Sequence, residues 1–158
     1  MTFASGLLLA LAVLSCRPAL GAVMTDQGPV EGIHHRGLTV YEGLPFAAPP
    51  VGELRWRPPQ PPTAWSGVQR LDHFAPRCMQ KGVYPDYAPA EPMSEDCLYL
   101  NLWVPDHPAA EKLPVMVWIY GGGLENGSGS IPLYAGDVLA RHGVIVVTFN
   151  YRLGVFGF

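Results

Sequence analysis

The sequence predicts an α/β protein. Two apolar, β-branched runs carry that prediction, VMVWIY at 115–120 and VIVVTF at 144–149, together with a short helical pattern between them at 134–141. Strand, loop, helix, strand is a crossover unit, and crossovers join parallel strands. Continuous apolar runs of this kind mark strands covered on both faces.

Composition sets the frame for the rest. The chain has 158 residues, 49% hydrophobic and 15% charged, enough apolar material for one ordinary core. Its net charge is −3 and no basic patch or stripe is present, which argues against a nucleic-acid partner.

The first 21 residues stand apart. The apolar run GLLLALAVL at 6–14 is too short to span a bilayer and suits the core of a secretory signal. Small residues at Ala19 and Gly21 place cleavage after Gly21, leaving one domain over 22–158 in an exported protein without a stable membrane span. No Lys or Arg precedes Ser15, a departure from the usual signal. Lipidation at Cys16, or an ordinary buried N-terminal element, are the alternatives.

Export gives the cysteines a meaning. With Cys16 in the leader, Cys78 and Cys97 remain as an even pair in an oxidising compartment, where a bridge is expected and two free buried thiols are the alternative. Two cysteines without a histidine at ligand spacing do not complete a zinc site, so neither metal nor cofactor is expected.

From residue 22 to 46, short apolar stretches at 29–33 and 38–41, punctuated by Gly28, Gly32, Gly37 and Gly43, predict a small antiparallel entry sheet. From 47 to 93 proline dominates, so almost no helix or strand is expected. Trp56, Trp65, Phe74, Tyr84 and Tyr87 in the same stretch predict an ordered coat on a core rather than a tether. LYLNLWV at 98–104 predicts a strand, and 134–141 a short helix closed by Gly143.

The glycine triplet at 121–123 ends the first buried run. Glycine lets a reacting carbonyl oxygen approach a backbone amide closely and lets neighbouring N–H groups aim at one point, which is what an oxyanion hole requires. A phosphate loop would need a lysine, and a dinucleotide fingerprint a third glycine where Asn126 stands; neither is present. A plain glycine-rich turn is the bland alternative. No catalytic role is assigned to His34, His35, His73, His107 or His142: the first two read as solvated turn positions, His142 as a helix end, and His73 and His107 as coil without an obvious partner.

Four blocks in order, YEGLPFAAPPVGELRWRPP at 41–59, SEDCLYLNLWVP at 94–105, LPVMVWIYGGG at 113–123 and VIVVTFNYRLGVFGF at 144–158, resemble the N-terminal portion of the type-B carboxylesterase and lipase family, which includes the cholinesterases. The resemblance implies an α/β-hydrolase fold and hydrolysis of small-molecule carboxylic esters by a serine nucleophile, a histidine base and an acidic partner. It assigns oxyanion donors to Gly122 and Gly123 and puts the residues of the triad beyond Phe158. It also implies a Cys78–Cys97 bridge, a buried Arg55–Glu95 ion pair, and a similar role for Arg152 with a partner beyond 158. Leu124 replaces the family's aromatic and is expected to reshape the acyl pocket. No tryptophan lies between the two cysteines, which argues against choline esters and leaves Tyr84 and Tyr87 as an ordinary rim. A non-catalytic adhesion or binding module on the same fold is the alternative. Were the chain to end at 158, strand 144–149 is expected to be left as an unpaired apolar edge.

Overall fold

The structure, a computed structural model, describes residues 21–82, 91–107 and 112–158. The segment before Gly21, including Cys16, lies outside them, as do Tyr84 and Tyr87.

The N-terminal strands are β1 (Val23–Met24), β2 (Pro29–Glu31), β3 (Ile33–His35) and β4 (Leu38–Pro45). The stretch read as one strand over 29–33 breaks at Gly32, and its two halves enter different sheets. β1 and β2 pair antiparallel, and β2 also pairs in parallel with β5 (Gln69–Arg70), so the small sheet is mixed rather than antiparallel. The β3–β4 hairpin joins the main sheet instead, because Leu38 and Val40 alternate onto its covered face and draw β4 against its neighbour.

The proline-rich stretch is ordered where it is described. A 3-10 turn spans Gly52–Leu54, and β6 (Arg77–Cys78) pairs with β7 (Met93–Ser94). Tryptophan N–H groups fasten the coat. Trp65 Nε1 donates to the Pro29 carbonyl at 2.9 Å, and Trp56 Nε1 to the Val155 carbonyl at 2.8 Å.

The main sheet has five strands in the order β3-β4-β8-β10-β9, with β8 at Tyr99–Pro105, β9 at Val115–Trp118 and β10 at Ile145–Phe149. The crossover unit forms as its sequence requires: β9 and β10 are parallel, with Ile145 opposite Val115 and Thr148 opposite Trp118. The other pairings in this sheet are antiparallel. Trp103 lies in register with Val40 on one side and Val146 on the other. These three, with Leu38, form the apolar face that receives Ala140 of helix α1 (Asp137–Ala140). A second cluster, Ala47, Cys78, Cys97, Leu98, Tyr120 and Leu153, packs beneath the glycine loop.

Three expectations need correction. The helix over 134–141 is only one α-turn, preceded by a 3-10 turn at Pro132–Tyr134, because Pro132 and Gly136 interrupt the helical ladder. Strand β9 is not covered on both faces: Val115, Met116, Val117 and Trp118 are 46–58% exposed, since β9 is an edge strand and, among the described residues, its one aromatic contact is that of Trp118 with Tyr134 at 5.3 Å between ring centroids. The edge strands of this sheet are thus β9 and β3, and not strand 144–149, which sits between β8 and β9 with Val146 and Thr148 buried.

Candidate active site

Strand β9 delivers the chain to a buried Tyr120, 2% exposed, and then to three exposed glycines. Three consecutive residues then take positive φ: Gly122 at 136°, Gly123 at 65° and Leu124 at 63°. For Leu124 that conformation costs about 1 kcal/mol or more, strain of a kind that clusters at functional sites. The Gly122 carbonyl accepts from the amides of Glu125 (3.1 Å) and Asn126 (3.3 Å), which folds the loop back on itself. A Cβ on Gly122 would collide with the Asn126 carbonyl oxygen, so only glycine permits this closure. The N–H groups of Gly122 and Gly123 donate to no acceptor among the described residues, and both residues are exposed. Amides without acceptors on a glycine loop are what an oxyanion site requires.

The loop is anchored on several sides. The Gly154 amide donates to the Leu124 carbonyl at 2.8 Å. Gly127 lies against the Tyr120 ring so closely that no side chain fits there. Beyond it, Ser128, Ser130, Asn101, Thr148 and Asn150 are buried and bonded to one another and to the backbone: Asn150 Oδ1 accepts from the Gly129 amide at 2.9 Å, and Thr148 Oγ1 donates to the Gly129 carbonyl at 2.8 Å. A satisfied buried polar network of this kind fixes one geometry, because breaking any member strands another in low dielectric. Tyr120 and Tyr151 stack under the loop, and burial raises the pKa of both hydroxyls, which stay protonated at neutral pH.

Cys78 and Cys97 are joined, with Cα atoms 5.0 Å apart and both residues buried. Arg55 meets Glu95 through two hydrogen bonds, Nε to Oε2 at 2.6 Å and Nη2 to Oε1 at 2.5 Å. The pair is not buried: the two side chains are 39% and 22% exposed, because Arg55 runs along the surface between the Trp56 and Phe156 rings. Arg152 differs. Its Nη1 is buried and has no hydrogen-bond partner among the described residues.

Among the described residues no histidine hydrogen-bonds to the glycine loop. His73, read as lacking a partner, has Nδ1 2.9 Å from Asp72 Oδ1, since the two are neighbours on an exposed turn. His34, Thr39 and Asp106 form a group that looks like a triad by composition. It is not one by geometry, for Thr39 Oγ1 and Asp106 Oδ1 both meet the same ring nitrogen and the hydroxyl also donates to the carboxylate. Among the described residues there is no cluster of metal-binding side chains, and no helix is long and apolar enough to cross a membrane.

A strand running into a glycine loop that holds free amides, on a sheet with a parallel crossover and an antiparallel flank, fits the N-terminal portion of an α/β-hydrolase fold. The carboxylesterase family model matches residues 20–158, and the chain belongs to that family. Fumonisin B1 esterase of Sphingopyxis macrogoltabida is 52% identical over 134 residues, covering 85% of this chain and 25% of the relative. Para-nitrobenzyl esterase of Bacillus subtilis (strain 168) is 46% identical over 86% of this chain and 28% of its own length. Acetylcholinesterase of Electrophorus electricus is 42% identical over 92% of this chain and 24% of its own. A solved structure of PNB esterase superposes with a TM-score of 0.83 at 45% identity, over 87% of this chain and 29% of that one. The chain therefore spans about a quarter of the length of these curated relatives.

The joined cysteines and the Arg55–Glu95 pair are where the family resemblance put them, whereas the loop's supports went unread. The GSGS run at 127–130 and the asparagine of NYRLG were the available signals, since small polar residues beside a buried strand must satisfy one another.

Proposed function

We propose that the full-length gene product hydrolyses small carboxylic esters by acyl transfer through a serine, with Gly122 and Gly123 as oxyanion donors. The observation that carries this reading is the pair of N–H groups without acceptors among the described residues, on two exposed glycines of a loop closed by the Gly122 carbonyl. In the proposed cycle the serine hydroxyl loses its proton to a histidine as its oxygen bonds to the ester carbon. The carbonyl oxygen then becomes an oxyanion held by the two amides, and the alcohol leaves with the histidine's proton. Water repeats the sequence on the acyl-enzyme. Among the described residues no serine hydroxyl meets a histidine, and the reading places serine, histidine and acid C-terminal to Phe158. Relatives named as a fumonisin B1 esterase and a para-nitrobenzyl esterase support the reaction type rather than one substrate. The disulfide loop lacks a tryptophan, which disfavours choline esters. Export, with cleavage near Gly21, is part of the proposal and is supported by the joined cysteines and the apolar leader.

The test is hydrolysis of p-nitrophenyl butyrate by the full-length gene product. Turnover abolished by a serine-directed phosphonate supports the esterase; folded protein without turnover points instead to a non-catalytic binding module.

A further inference from the structure

Gln80 lies two residues past Cys78 and reaches across to the far limb of the glycine loop. Its Oε1 accepts from the Gly127 amide at 2.8 Å, and its Nε2 donates to the Gly127 carbonyl at 2.9 Å and to the Cys78 carbonyl at 2.9 Å. The side-chain amide thus satisfies both backbone groups of a buried residue and ties them to the disulfide strand β6.

Gly127 is where such a clasp has leverage. It follows Asn126, whose amide donates to the Gly122 carbonyl, and it packs on the ring of Tyr120, the residue before the triplet. The loop from 120 to 127 is therefore pinned at its base by Tyr120 against Gly127 and across its middle by Asn126 against Gly122. Moving Gly127 moves Asn126, and with it the peptide plane whose carbonyl is the Gly122 oxygen and whose N–H belongs to Gly123.

We propose that Gln80 is a positioning residue that sets the aim of the Gly122 and Gly123 amides, a role that rests on the ester-hydrolase reading above. Gln80 touches no substrate in this account. It acts through Gly127, and it makes the anchored end of the Cys78–Cys97 bridge part of the machinery that orients the oxyanion donors. A side chain that fixes donor direction alters the transition state, where the oxygen is charged, more than the ground state, where it is not.

The test compares wild type with Gln80→Met in the full-length gene product. Methionine keeps the length and bulk of glutamine and removes all three hydrogen bonds. The expected result is a fall in kcat of roughly 10- to 100-fold, the scale of a misplaced catalytic group, with KM changed by less than about twofold. Affinity for an aryl trifluoromethyl ketone, whose adduct with the serine carries an oxyanion, should fall by the same factor as kcat. An unchanged kcat, or a loss confined to KM, overturns the proposal. If Gln80→Met does not fold, Gln80→Glu, which keeps an acceptor for the Gly127 amide, is held to the same criteria. Failure of both to fold assigns Gln80 to the fold alone and also overturns it. An inactive wild type overturns the esterase reading itself, a result distinguishable because it needs no variant.

Discussion

Tyr120 and Tyr151 stack with ring centroids 4.3 Å apart and planes 14° from parallel, and each hydroxyl reaches the other's backbone. The shorter contact is Tyr151 Oη to the Tyr120 carbonyl at 2.6 Å. This reciprocal pair ties the last residue before the glycine triplet to the chain that follows β10, so two segments that diverge in sequence are held as one floor. Replacing Tyr151 with phenylalanine keeps the stacking and removes that bond. The expected loss is about 1 kcal/mol of stability, read from urea unfolding of the full-length gene product.

The same burial predicts an alkaline limit. Burial is the main cause that raises the Tyr99 pKa to about 12, with Asp96 adding to it, and burial raises Tyr120 as well. An unfolded tyrosine releases its proton near pH 10, whereas these retain theirs in the fold. Between the two values the folded state binds more protons than the unfolded one, so stability falls as pH rises. The contribution is intact below about pH 10. Unfolding midpoints measured from pH 8 to 12 should stay level as far as about pH 10 and then decline, less steeply in Tyr99→Phe.

Gly122→Ala tests the loop directly. The added methyl collides with the Asn126 carbonyl and sits on a backbone at φ 136°, so the loop must open and the proposed donors turn away. A loss in kcat of about 100-fold or more is expected, the cost of one oxyanion donor, with stability changed far less.

The disulfide carries a stability prediction of its own. Joining Cys78 to Cys97 removes chain entropy from the unfolded state, so Cys97→Ser should lower stability by about 3 kcal/mol. Mass spectrometry of peptides from protein expressed in an oxidising compartment should find the two cysteines linked, and two free thiols would refute the bond.

Legibility in the sequence followed the range of the interaction. The parallel β9–β10 pair was readable because continuous β-branched runs and a glycine-ended helix are local signals. The bend of the N-terminal hairpin into the main sheet was not, because Leu38 and Val40 look the same whether their neighbour is a small entry sheet or Trp103. Exposure of Val115 to Trp118 was misread for a similar reason: periodicity reports what a strand can bury, and edge position is set by other elements. The triplet at 121–123 announced itself, but its supports did not. Gln80, Gly154 and Asn150 reach the loop and its flank from 21 to 47 residues away in sequence, and only folding brings a lone side chain or amide to the backbone group it serves.

The central claim is that the Gly122 and Gly123 amides hold the charge that develops on the ester oxygen. A crystal structure of the full-length gene product carrying a phosphonate on its serine tests this most directly, since the phosphonyl oxygen stands where the oxyanion forms. That oxygen is expected about 2.7 to 3.1 Å from both nitrogens. A phosphonyl oxygen turned to solvent, or held by other donors while both glycine amides stay unpaired, would contradict it.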